Sequence, residues 1–215
     1  MDEHNSQDQR KDAGIRQKAP SQDRALRTRA ELLRAAEALT CEEGCEAVTT
    51  TRIASKTGVA VGTIYRYFAN REELLLAAYD ATVARIVEAC AARLGALDAE
   101  LDPQDVIVAT IDAYLSAAEA IPAHSPLLRE MQRLRPVADD QAQNSHRVAS
   151  EIFLPLLDRY GFAGAIIEPG RLAVIQNVVS TLVDLYLATE SLEARAVIGA
   201  ELKAHALFAF SRLQS

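Results

Sequence analysis

Leu26, Leu33, Ala36 and Leu39 recur at three- to four-residue spacing after Ser21, and the run stops at Gly44. That period predicts an amphipathic helix ended by a C′ glycine. Thr49 can cap a short helix through Ile53 and Ala54 to Thr57, Gly58 supplies a turn, residues 61–67 form a second short helix, and Asn70 caps a long third one. Two short helices joined by a glycine turn are the helix-turn-helix pattern. From Arg71 the pattern changes to long helices punctuated by Pro and Gly. Leu75, Tyr79, Ile86 and Cys90 share one stripe; Asp102-Pro103 opens a helix with Ile107, Ile111, Tyr114 and Ala118 inward that stops at Pro122. Ser125-Pro126 repeats the signature for a helix to about Leu134, and Pro136 opens another to about Tyr160, ended by Gly161 and kinked at Pro155.

Two last helices are expected over about Pro169–Thr189 and Leu192–Leu213. In the first, Leu172, Ile175, Val179, Leu182 and Tyr186 fill one face while Val174, Val178 and Leu185 fill another. A helix apolar on two faces is buried on both, and the second side is expected to meet another subunit. Val178, Leu182, Leu185, Leu202 and Phe210 are the expected contacts of a homodimer. Residues 1–20 are rich in charge, Gln, Asn and Gly with almost no large apolar side chain, and predict a disordered tail. No internal repeat is evident.

Composition sharpens this picture. The chain has 215 residues, 49% hydrophobic and 25% charged, with no Trp and five Phe. Fibrous, collagenous and wholly disordered classes are excluded, and Ala, Leu, Ile and Val are left to fill the interior of an all-α protein. The net charge of −7 is unevenly spread. Residues 24–71 hold eight basic and five acidic side chains, whereas residues 72–215 hold eleven and twenty. A basic block fused to an acidic body is what a nucleic-acid head on another kind of body would show, because only the head neutralises phosphates. Three cysteines, Cys41, Cys45 and Cys90, are too few for a disulfide framework. With no signal-peptide pattern and no uninterrupted apolar run of about 18 residues, the expectation is a cytoplasmic protein without a membrane partner.

The block at 44–75 resembles the N-terminal DNA-binding domain of the tetracycline-repressor (TetR) family of bacterial transcriptional regulators. The resemblance lies in Gly44, the Thr49 cap, Ile53-Ala54, Gly58-Val59, Gly62-Thr63-Ile64-Tyr65-Arg66-Tyr67-Phe68 and Asn70-Arg71-Glu72-Glu73-Leu74-Leu75. It implies an N-terminal three-helix head over 21–70 and a helical ligand-binding and dimerisation body over 71–215. The expected DNA contacts are Thr49, Arg52, Val61, Gly62, Thr63, Tyr65, Arg66, Tyr67 and Arg71. Gly62 lets the helix start approach the DNA backbone, Thr63 can bond a phosphate or touch a thymine methyl, and Arg71 is a phosphate clamp candidate. Ile53, Ala54, Val59, Ile64 and Phe68 form a small core that fixes the angle between the helices. Ala60 stands where a capping Ser is common, Val61 where Lys is frequent, and Arg52 where an acidic residue would complete a capping box with Thr49. The packing alternative for Tyr65 and Tyr67, and a solvated face for Arg24, Arg27 and Arg29, stay open.

Catalytic chemistry has no foothold. The sequence has no H-E-x-x-H, no G-x-S-x-G, no glycine-rich phosphate loop and no paired carboxylates with a base partner, so neither an enzyme nor a cofactor is expected. Cys41 and Cys45 lie four apart without further ligands, which reads as two small hydrophobes or a thiol switch rather than a metal site. Tyr114, Met131, Gln132, His146, Gln176 and Asn177 bring polar or adaptable groups to apolar stripes and are the candidates for a ligand pocket; Gln143, Asn144 and Arg147 lie beside His146. The function expected is a ligand-responsive homodimeric repressor of a near-palindromic operator. The alternative is a helical small-molecule-binding or interaction protein without a DNA role.

Overall fold

The computed structural model describes residues 20–98, 100–136, 139–140, 144, 147–160 and 169–212. Among them are nine α-helices and no strand. Three short elements follow the first long helix, α1 (Pro20–Glu43): a 3-10 turn (Cys45–Ala47), α2 (Thr50–Thr57) and α3 (Val61–Ile64). The longest helix, α4 (Arg71–Gly95), leads to α5 (Pro103–Glu119) and α6 (His124–Leu134), which meet at 92°. A π-helical turn at Ala149–Phe153 runs into α7 (Leu154–Arg159), and α8 (Pro169–Ala188) with α9 (Leu192–Ser211) completes the chain.

The capping chemistry is that expected from the sequence. The Thr49 hydroxyl accepts from the Arg52 amide at 3.2 Å, Asn70 Oδ1 from the Glu73 amide at 2.7 Å, and Asp102 Oδ1 from the Gln104 amide at 2.8 Å. Each satisfies an amide that the first helical turn leaves unpaired. Gly44 and Gly58 have φ of 85° and 74°, the left-handed conformation that ends α1 and α2. Three boundaries differ from expectation. Helix α6 opens at His124 after Ala123, with no side-chain cap, instead of at Ser125-Pro126. Helix α3 closes at Ile64 instead of continuing to residue 67, because the Arg66 and Tyr67 amides bond three residues back, to Thr63 and Ile64, and tighten the chain into a turn. Before Pro155, whose ring nitrogen has no proton to donate, the helix widens into the π turn; the irregularity expected at this proline takes that form. Of the expected tail, residues 1–20, Pro20 instead opens α1, and residues 1–19 lie outside the described residues.

The core is continuous from one end of the fold to the other. Leu32, Leu39, Val48, Ile53, Ile64 and Phe68 close the N-terminal end, and Leu74, Leu75, Tyr79, Ile86 and Cys90 carry the same core along α4. Ala54 and Val59 pack against it partly buried. Helix α4 lies against α1, α5 and α6, so each turn of it finds an apolar partner. At its N-terminal end the Arg29 guanidinium covers the Phe68 ring at 5.4 Å from the centroid.

A Cβ added at Gly58 would meet nothing within 4 Å, so the cost of a side chain there is the backbone conformation alone. Gly58→Ala is expected to destabilise the protein by about 1–2 kcal/mol. Gly95→Ala, in equally open space at helical φ, is expected to be neutral or to stabilise by up to about 1 kcal/mol. Denaturant unfolding of the two variants beside the parent reads both signs.

Candidate functional site

Helix α2, the Gly58 turn and α3 form a convex tip. Ile64 and Phe68 face inward and are buried, which turns Val61, Gly62, Tyr65 and Arg66 outward. Tyr65 is 54% exposed, far more than an aromatic ring that merely packs a core. Tyr67 instead lies partly buried against the core, and Thr63 is half-buried. A Cβ at Gly62 would touch nothing within the protein, so no internal contact accounts for a glycine there. Ala60 offers α3 no side-chain cap, leaving the first amides of that helix open to an outside acceptor.

Two of the expected phosphate ligands are turned onto the protein. Arg52 forms a two-pronged pair with Glu43 across the α1–α2 junction, and the bond from Arg52 holds the Glu43 carboxyl below the usual range. Lys56 pairs with Glu42 beside it at 2.8 Å. Arg71 points inward: its Nε donates to the Val48 carbonyl and its Nη2 to the Cys45 carbonyl, each at 2.8 Å. The same guanidinium lies 3.8 Å from Glu46 and 3.7 Å from Glu130 on α6. Arg71 thus joins the loop before α2, the start of α4 and helix α6, a bracing role in place of an outward clamp. Thr49 caps α2 from an exposed position.

Behind this tip, α4, α5, α8 and α9, with Asp140, Asn144 and residues 148–156, line a mostly apolar cavity of about 180 Å³. Of the residues proposed for a pocket, Tyr114 and Gln176 line it, as does Asn144. Met131 does not: it is buried in the core on α6, while Gln132 and Asn177 face solvent. His146 and Gln143 lie outside the described residues. The wall also holds polar groups that the sequence reading missed, Asp140, Ser180 and Asp184. Their signal was present, since Gln176, Ser180 and Asp184 follow one another at i, i+4 and i+8 along an otherwise apolar helix. Burial, then the Asp140 carboxylate, pushes Asp184 up to about 7. Burial, then nearby carboxylates, pushes the Tyr79 and Tyr114 hydroxyls far up, so both stay neutral. Next to the cavity, His124 stacks on Tyr79 at 5.6 Å and its Nδ1 meets the Thr82 hydroxyl at 2.7 Å. Burial, then Arg85, pushes His124 down to about 4.

Residues 32–78 match the family model described as bacterial regulatory proteins, tetR family. That match covers the head alone, which is of the tetR type. Members of that family are DNA-binding transcription regulators and not enzymes. No curated protein matches the chain. Solved structures of the same architecture include a TetR regulator from Rhodococcus sp. RHA1, with a TM-score of 0.61 at 19% identity over 88% of this chain and 98% of that one. A TetR-family regulator from Syntrophomonas wolfei gives a TM-score of 0.62 at 16% identity, covering 86% and 96%. The regulator RolR in complex with resorcinol gives 0.57 at 17% identity, covering 89% and 95%. At these identities the likeness is one of fold.

The chain's last two helices carry an uncovered apolar face. Val174 is 62% exposed and Phe208 66%, with Val178, Leu185 and Val197 beside them in the same class. Of the residues expected at a subunit interface, Val178 and Leu185 are on the surface and Leu182 is partly buried against the core. Leu202 and Phe210 are not on it: Leu202 is fully buried and Phe210 packs edge-on against Tyr160 at 5.9 Å. The stretch Gly170–Ala188, with mean hydropathy 1.2, is by length and composition long enough to cross a membrane, which the count of uninterrupted apolar residues had excluded. Arg171, Gln176, Asn177 and Asp184 interrupt it, and α8 packs along α9.

Removing the Arg71 guanidinium strands two carbonyls that it now serves. Arg71→Ala is expected to lower stability by about 1.5–3 kcal/mol. It should weaken DNA binding while leaving the salt dependence unchanged, whereas loss of a direct phosphate contact would reduce the slope by about 1. Unfolding and duplex titrations at several salt concentrations separate the two.

The pH dependence has a calculable sign. Asp184, at about 7 in the folded chain against an ordinary 3.8, gives stability that is full at low pH and lost as pH rises through 7. His124, at about 4 against 6.5, gives stability present above 6.5 and lost as pH falls towards 4. The two slopes oppose each other. Asp184→Asn is expected to gain on the parent as pH rises from 4 to 7, by up to about 1.4 kcal/mol per pH unit. Unfolding midpoints across that range check it; parallel curves for the two proteins would refute the elevated carboxyl.

Proposed function

We propose that the protein is a homodimeric transcriptional repressor that binds a near-palindromic operator and is released by a small, largely apolar effector. The observation that carries this reading is the outward tip of Val61, Gly62, Tyr65 and Arg66, which serves no packing purpose within the protomer and leads in the chain directly into α4, the helix that walls the cavity. Residues 21–70 act as the DNA-binding domain and 71–215 as the ligand-binding and dimerisation domain. The α3 tip enters the major groove, with Thr63 and Tyr65 at base edges or phosphates and Arg66 at phosphates. The apolar face of α8 and α9 pairs with its copy, placing two heads on successive half-sites about one helical turn, roughly 34–36 Å, apart. RolR, which shares the fold, is known with the small aromatic resorcinol bound, and that favours a compact ligand among the body helices.

The effector acts by binding one head spacing better than the other. Two joints on α6 carry the change. His124 meets Thr82 of α4, and Glu130 lies beside Arg71, which grips the loop before α2. A ligand that moves α4 against α6 therefore moves the tip as well. Such a protein works in the cytoplasm, with DNA and metabolites within reach.

The test is binding to a fluorescent duplex from the protein's own upstream intergenic DNA, titrated against salt. The expected result is a steep salt slope and a stoichiometry of two or four chains per duplex, with binding weakened in Arg66→Ala. Val178→Glu with Leu185→Glu should sediment as a monomer and lose operator affinity. Absence of salt-dependent binding to any duplex would instead support a helical small-molecule-binding or interaction protein without a DNA role.

A further inference from the structure

Two carboxylates line the wall of the cavity. Asp140 and Asp184 both line it, and Asp80 stands behind Asp140. Arg135 donates to both Asp80 oxygens at 2.9 Å and to Asp140 Oδ1 at 2.8 Å. Asn144 Nδ2 donates to that same Asp140 oxygen at 2.9 Å. No hydrogen bond or ion pair among the described residues reaches Asp184. Its neighbour one turn back, Ser180, gives its proton to the Asn177 carbonyl at 3.2 Å and leaves the carboxylate unserved. The rest of the lining holds the neutral hydroxyls of Tyr79 and Tyr114, the uncharged Thr110, Asn144, Gln176 and Cys90, and apolar side chains.

We propose that the cavity takes a lipophilic amine as its ammonium ion, with the cation against Asp184 between the Tyr79 and Tyr114 rings and the apolar part among Val83, Ile107, Ile111 and Phe210. The inference rests on the reading of this cavity as the effector site and names the ligand class for it. A carboxylate held in an apolar wall without a partner loses the solvation it has in water, and only a cation returns most of that loss. Aromatic faces add to the same preference. A neutral alcohol regains one hydrogen bond, and an anion is repelled. At the other end of the stripe, the buried Nε2 of Gln176 has no acceptor. It lies eight residues from Asp184, about 12 Å along the helix at 1.5 Å per residue. An ether or carbonyl oxygen at the far end of the ligand would satisfy it.

The experiment is calorimetric titration of the full chain at about pH 8, where Asp184 is ionised, with 4-phenylbutylamine, 4-phenylbutanol and 4-phenylbutyrate. The amine is expected to bind at least about tenfold tighter than the alcohol, as a charge-assisted bond to a buried partner implies, and the butyrate weakest. In Asp184→Asn the amine should lose that advantage while the alcohol keeps its affinity within about twofold, the marginal effect expected of a change that spares the apolar contacts. If the alcohol binds as well as the amine, or the advantage survives in Asp184→Asn, the amine assignment is overturned and the effector site stands. If the butyrate binds best, the assigned charge is wrong. If none of the three is taken up, the cavity reading falls together with the assignment.

Discussion

The guanidinium of Arg71 sits where three parts of the chain meet. It donates to carbonyls on both sides of Glu46-Ala47, one residue into α4, and its remaining nitrogen lies near Glu130 on α6. Carbonyls in an irregular loop cannot find partners in a helix ladder, and a planar fork of donors fixed by α4 meets two of them at once. The loop so held delivers Thr49 to the start of α2, and α2 positions the Gly58 turn and the α3 tip. The orientation of the α3 tip thus depends on partly buried bonds that begin in the helix carrying the body.

That placement explains how one helix can serve two ends of the molecule. Helix α4 buries Leu74 and Leu75 under the tip and Val83, Ile86 and Cys90 further along, without a polar break between them. Its polar contacts are joints rather than interruptions: Thr82 with His124, Asp80 with Arg135, Arg85 with Glu37. A close-packed core transmits displacement because its side chains have no free volume to absorb it. A change in the cavity wall, part of which is Tyr79 and Val83, reaches Arg71 within two to three turns of the same helix.

The two faces of α8 show how similar residues take different roles. Ile175, Val179 and Val183 look into the cavity, while Val174, Val178 and Leu185 look out. The outward group leaves an apolar surface that water does not favour, and Phe208 and Val197 on α9 extend it. Polar residues sort by face as well: Asn177 is outside, and Gln176, Ser180 and Asp184 are inside.

Much of the architecture is local and was legible in the sequence. Caps at Thr49, Asn70 and Asp102, the glycine stop at Gly58 and the apolar stripe of α4 act over three or four residues, so their consequences can be computed from neighbours in the chain. The family of the head was equally legible, since its signature is a contiguous run. What the sequence could not determine were the partners of long side chains. Arg52 and Arg71 read as free cations because Glu43, and the carbonyls of Cys45 and Val48, come within reach only after α1, α2 and α4 have packed. Leu202 and Phe210 read as interface for the same reason: an apolar residue states that it will be buried, not against which surface. Asp184 was passed over as one charge on an apolar helix. Only the convergence of α4, α5, α8 and residues 148–156 surrounds it with apolar walls, and that arrangement, which no local pattern encodes, turns an ordinary carboxylate into the cavity's unpaired charge.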